Sequence, residues 1–182
     1  MESLSLNSFC YKLFNSLSVG QDENFFISPF TISTALTMVY AGARAETASQ
    51  LRELLSLNRE FNQDQIFKIS DDYFKILSEV RSDVTLNMAN KIYVGKDFEL
   101  LDRFRQILAT SFKSSADELD FSQATEAADT INSYVEQQTM NMIKNLIGPN
   151  DLNALTKLVL ISAIYFKGYH FYFAAIFVYY KF

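Results

Sequence analysis

Apolar residues recur at three- and four-residue spacings near the start of the chain, at Leu6, Phe9, Leu13, Phe14 and Leu17, and predict an amphipathic helix. Residues 24–27, NFFI, read as a short strand. Ser28-Pro29 then opens a second helix, because a serine hydroxyl can accept from the free N–H groups of the first turn and a proline at N1 sacrifices no helical hydrogen bond. This helix carries Ile32, Leu36, Met38 and Val39 and ends near Gly42. Apolar or small residues occupy nearly every side of it from Phe30 to Ala41, which predicts burial rather than a surface position. The following AETASQLRELLSL is amphipathic, with Leu51, Leu54 and Leu55 inward and Glu46, Arg52 and Glu53 outward.

Residues 61–80 read as helix through Ile66, Ile69, Phe74 and Leu77. The segment 83–95, DVTLNMANKIYVG, switches to strand character and closes on a glycine. A helix over about 97–112 (Phe98, Leu101, Phe104, Ile107, Leu108) precedes an extended piece at Asp117–Phe121. Residues 122–147 read as the longest helix, through Ala128, Ile131, Val135, Ile143 and Leu146, until Gly148-Pro149 breaks it. Leu155–Lys167 reads as a fully buried strand, since LVLISAIYF holds one hydroxyl residue before Tyr165. The mixed order predicts an α+β fold without internal repeats.

The last thirteen residues, HFYFAAIFVYYKF, differ in kind. Eleven are apolar, none is acidic and no turn signal occurs. Thirteen residues fall short of the ~20 that a spanning helix needs, and Lys167, Gly168 and His170 interrupt the longer stretch from Leu158. The preferred reading is a non-native continuation, with a membrane anchor as the lesser alternative.

Composition narrows the chemistry. Among 182 residues there is one His, one Cys, no Trp and five Gly. A His-based hydrolytic triad or a zinc site with several His or Cys ligands has almost nothing to draw on. No GxxxxGK[ST] or GxGxxG occurs. The net charge of -5 and the lack of a concentrated basic face speak against nucleic acid. The expectation is a protein that is not an enzyme, with no catalytic residue, metal or cofactor. Cys10 has no internal disulfide partner, and no N-x-S/T acceptor or secretory leader is visible, so the chain as written reads as cytoplasmic.

Three clusters invite a functional reading and each has a plainer one. Cys10 and His170 could form a thiol–imidazole pair, but they sit at opposite ends, and a buried structural cysteine on a helix is the simpler account. Asp71 and Asp72 with Glu79 lack the alternating oxygen ligands of a calcium loop and read as a solvated helix face. Lys68, Lys75 and Arg81 could attract an anionic polysaccharide, yet Asp64, Asp71, Asp72 and Glu79 cancel them.

Four segments carry a resemblance. NFFISPFTISTALTMVYAGARAETASQL resembles the second-helix signature of the serpins. ANKIYV resembles strand two of that family's central sheet, and LVLISAIYFKG resembles strand three. AADTINSYVEQQTMNMIKNLI resembles the long helix lying across the sheet, with Tyr134 where tryptophan is usual. The matches keep the family's order over residues 4–168. The resemblance implies an α+β serpin fold, helices packed on a partial central sheet, with 1–168 as the N-terminal half of the domain and 169–182 as a tail foreign to the family.

It also implies a function. Serpins inhibit serine proteases, and some cysteine proteases, as suicide substrates: the target attacks an exposed loop, and the cleaved loop enters the sheet as a new strand. Ser28, Pro29 and Thr31 match the shutter region behind the sheet, and Ser162 stands where the family's shutter asparagine is usual. A serine offers fewer hydrogen bonds than an amide there. After FKG this chain continues Tyr169-His170-Phe171 where the family has a tryptophan two residues on. The reactive loop belongs to the later part of the family's length, so no reactive-centre residue can be named and the chain alone is expected not to inhibit. The alternatives are an interaction fragment that pairs with other serpin chains, or a non-inhibitory relative. Many serpins are secreted, which makes the extracellular space the alternative compartment. The apolar helix 28–42 and strand 158–166, covered in the family by later strands, are expected to be left bare and to drive self-association together with 171–182.

Overall fold

The computed structural model of the chain describes residues 2–20, 25, 27–79, 84–168 and 173–181, with 2–5 and 173–181 given by their backbone. Among these the helices are α1 (Glu2–Ser18), α2 (Pro29–Gly42), α3 (Ala45–Leu54), α4 (Gln63–Ser78), α5 (Asp102–Ser111) and α6 (Ala124–Gln138). The strands are β1 (Val84–Gly95), β2 (Ser115–Leu119), β3 (Leu158–Gly168) and β4 (Phe173–Lys181). They form one sheet in the order β2-β1-β3-β4, with β2 parallel to β1 and the other pairs antiparallel.

Alternation along β1 and β3 divides the core into two layers. Met88, Ile92, Val94, Leu158 and Leu160 face α2, α4 and α5, where they meet Met38, Phe67, Leu108 and Phe112. Ala89, Tyr93, Val159, Ile161 and Ala163 face α6, where they meet Ala128, Ile131 and Val135. The sheet is thus covered on both sides. Full burial of one such aliphatic side chain contributes roughly 1.5–3 kcal/mol.

Local chemistry sets the helix ends. Ser28 caps α2 through its hydroxyl, which accepts from Thr31 N at 3.3 Å, with Pro29 at N1. Asn62 and Gln65 form a reciprocal capping box on α4, each side-chain oxygen accepting from the other's backbone N–H at 2.9 Å. At the end of α2, Gly42 leaves room for Phe104, whose ring would stand 3.3 Å from an added Cβ.

Several sequence expectations need correction. The helix expected over 122–147 stops at Gln138, because Thr139 turns its hydroxyl back onto Val135 O (2.7 Å) and Met140 and Asn141 take positive φ. Ile143 and Leu146 kept the helical spacing because the loop that follows packs them into the same core. The helix expected at 97–112 begins only at Asp102, leaving Leu101 exposed as its N-cap. Phe25 and Ile27 lie in irregular backbone rather than a strand, and residues 24 and 26 lie outside the described residues. α2 and β3 are not bare: α2 packs on α1, α3, α5 and β3, and β3 is sandwiched between α2 and α6. The aromatic tail pairs along β3 from Val159↔Lys181 to Lys167↔Phe173.

Candidate functional site

Where α2 begins beneath the β1–β3 pair, four polar side chains are buried together: Ser28 and Asn90 are 7% exposed, Thr31 2% and Ser162 0%. Asn90 and Ser162 are directly paired across the antiparallel ladder, so both point to the α2 side between neighbours that are apolar. The Ser162 hydroxyl lies 2.8 Å from Asn90 Oδ1 and 3.4 Å from Thr31 O, and its one proton goes to the nearer acceptor. Thr31 Oγ1 donates to Ser28 O at 3.0 Å, while Thr31 N donates to Ser28 Oγ. Pro29 contributes its fixed φ, which presents this first turn to the sheet.

Sequence reading singled out Ser28, Pro29, Thr31 and Ser162, and the fold brings them into one place. It did not single out Asn90. The available signal was its position in the alternate row Met88, Asn90, Ile92, Val94, a lone amide among apolar residues. Among the described residues the Asn90 amide N–H2 group finds no acceptor, although buried amide donors are nearly always satisfied. All of these groups are neutral. The Ser162 hydroxyl therefore links β3 to β1 through Asn90 and has Thr31 O of α2 as its alternative acceptor, an exchange that moves no charge.

The opposite face carries charge. Lys91 Nζ lies 2.7 Å from Asp117 Oδ2, 4.7 Å from the Tyr134 ring centroid and 5.3 Å from that of Tyr93. Burial, and then the Asp117 charge, push the Tyr134 phenol up to about 12. Burial, then Tyr134 and Asp117, push Tyr93 in the same direction. The C-terminal end of α6 is tied down by Asn87 Nδ2, which donates to Gln138 O at 3.3 Å. Asn132 on α6 holds the loop beyond, donating to Ile147 O at 2.8 Å and accepting from Ile147 N at 3.0 Å.

The other sequence candidates are not brought together. Cys10 is half-buried, its thiol raised by burial, and His170 lies outside the described residues. Asp71 is paired with Lys113 (2.6 Å) and Lys75 (2.5 Å), whose hydrogen bonds, Lys113 first, hold its carboxyl below the usual range. Asp72 stands 3.9 Å from Lys75, and Arg81 lies outside the described residues. Among the described residues no group of His, Cys, Asp and Glu is arranged to hold a metal, and no helix is long and apolar enough to cross a membrane.

The serpin (serine protease inhibitor) family profile matches residues 4–171. The chain belongs to the serpin family. It is 37% identical over 157 residues to chicken (Gallus gallus) neuroserpin, covering 86% of this chain and 38% of that protein. It is 36% identical over 165 residues to bovine (Bos taurus) serpin B6, covering 88% and 43%. Among solved structures it superposes on cleaved serpin 42Da with a TM-score of 0.82 at 37% identity, covering 90% of this chain and 43% of that one. On emu (Dromaius novaehollandiae) ovalbumin the TM-score is 0.83 at 28% identity, covering 90% and 46%. The chain thus spans less than half the length of the serpins it matches.

Proposed function

We propose that residues 4–168 are the sheet-bearing part of a serine protease inhibitor whose cleaved reactive loop joins the sheet as a new strand. In this reading Ser28, Pro29, Thr31 and Ser162, together with Asn90, form the latch that sets how readily the strands part. The observation that carries it is the neutral cluster beneath β1 and β3, centred on a buried amide whose donors find no acceptor among the described residues. The rest of a serpin would supply that acceptor. The antiparallel seating of β4 along β3 supports the same reading, since this edge accepts an added strand through main-chain hydrogen bonds.

The 182-residue chain by itself is expected not to trap a protease, because the resemblance puts the reactive loop in the part of the family's length that this chain does not span. Incubated with trypsin-, chymotrypsin- and cathepsin-type proteases, it should give no SDS-stable covalent complex. A single such band overturns that expectation.

A second reading, an interaction fragment, is favoured by α1. Tyr11, Phe14 and Leu17 stand exposed along it, with Val19 exposed just beyond its end, apolar surface of the kind that marks a protein contact. Light scattering should then report dimers or larger species, and Phe14→Glu should shift them toward monomer. A monodisperse monomer would exclude pairing of the chain with itself and leave the first reading untouched.

A further inference from the structure

We infer that the cavity between α1, α2 and α4 binds a small neutral apolar molecule carrying a single hydrogen-bonding group, of the class of cyclic alcohols. The cavity has a volume of about 110 Å³ and lies away from the latch, against the helices rather than the sheet. Its walls are Phe9 of α1, Phe30 of α2, Ile66 and Phe74 of α4, and Leu55 and Phe61 of the segment between α3 and α4. An apolar cavity of about 150 Å³ holds one benzene ring, so this one suits a ring of five or six heavy atoms.

The polar groups on the wall define the ligand's chemistry. Of the five lining hydroxyls, those of Ser33, Thr37 and Ser70 are engaged within their own helices. Ser33 donates to Phe30 O at 2.9 Å, Thr37 to Ser33 O at 2.7 Å and Ser70 to Ile66 O at 3.3 Å. Of the other two, Tyr73 is half-buried and Thr34 is buried. Thr34 is only 8% exposed, it lines the cavity, and among the described residues its hydroxyl has no partner. A buried hydroxyl left unpaired is unfavourable, and a ligand that brings one donor or acceptor relieves it. Among the described residues no charged side chain lines the cavity, so a carboxylate or an ammonium would meet no counter-charge from them.

The test uses the full chain and ligand-observed saturation-transfer NMR at millimolar concentrations, which reads binding whether the protein is monomeric or associated. Cyclopentanol should bind saturably and be displaced by cyclopentane, whereas cyclopentanecarboxylate should give no saturable signal. Thr34→Val, which exchanges the hydroxyl for a methyl group, should weaken cyclopentanol three- to tenfold and leave cyclopentane unchanged. Ser70→Leu, on the half-exposed side of α4, should fill the cavity and abolish both signals. It serves as the deciding variant if Thr34→Val disturbs the fold. Equal binding of the carboxylate, a signal that survives Ser70→Leu, or no saturable binding of alcohol and hydrocarbon, the result for a void holding only water, would each overturn the assignment.

Discussion

On the α2 face of the sheet the row of Leu158, Leu160, Ile92 and Val94 is interrupted by Ser162 and Asn90, two neutral side chains sharing a hydrogen bond of 2.8 Å. On the α6 face the row of Val159, Ile161, Ala163 and Tyr93 is interrupted by Lys91, paired with Asp117 and roofed by the Tyr134 ring. A hydrogen bond between neutral groups can be exchanged for another of similar strength when strands move. The Lys91 ammonium is the more buried partner, and separating it from the half-exposed Asp117 and the Tyr134 ring leaves a poorly solvated charge behind. In the proposed reading the α2 side is the one that permits rearrangement, while on the α6 side the Lys91 ammonium engages both Asp117 of β2 and the Tyr134 ring of the covering helix.

The largest effects should come from the packed layers, where the two faces ought to behave alike. Met38 on the α2 side and Ile131 on the α6 side are both 0% exposed. Met38→Ala and Ile131→Ala should each cost about 2–5 kcal/mol in urea unfolding, a large share of the ~5–15 kcal/mol of a typical domain. A loss below about 1 kcal/mol for either would mean that its layer is not closed by this chain alone.

The latch should come next. Asn90→Ala or Ser162→Ala should each cost about 1–3 kcal/mol, since either leaves a buried polar partner behind. The double variant should lose less than the sum, with a coupling of at least about 0.5 kcal/mol. Because no titratable group sits in the cluster, the coupling should be the same at acid and neutral pH. Strict additivity would show that the two side chains do not act together.

Much of this was legible in the sequence where the determinant is local. Ser28-Pro29 announces the start of α2 because capping involves residues three apart, and the strand character of 84–95 and 158–167 follows from their β-branched runs. The second of these strands begins three residues later than expected, after an exposed Leu155. What stayed hidden depends on distance along the chain. Asn90 and Ser162 meet across 72 positions, so neither reveals the other. The end of α6 turns on one hydroxyl, Thr139, while the buried loop beyond it imitates helical periodicity. The seating of the tail on β3 is set by strand pairing, which an aromatic composition without alternation does not encode.

The smallest effects, and the ones that separate the faces best, are electrostatic. Asp117 is half exposed, so breaking its pair by Lys91→Met should cost no more than about 1 kcal/mol, and the cost should shrink in high salt. The alkaline limb gives the sharper contrast. In the unfolded chain Tyr134 ionises near its ordinary 10, whereas in the fold it holds its proton to about 12. Between those values the native state keeps a proton that the unfolded state has lost. The stabilisation is therefore complete below about pH 10 and is lost as pH rises toward about 12. Tyr134→Phe retains the ring over Lys91 and removes only the ionisable hydroxyl, so it should flatten this part of the pH–stability curve. Tyrosinate absorbance during the same titration should lose one late-ionising group in the variant. Asn90→Ala should lower stability evenly across that range and leave its slope as in the parent. If Tyr134→Phe and the parent instead fall with the same slope, the phenol is not buried against the charged pair, and the asymmetry between the two faces fails.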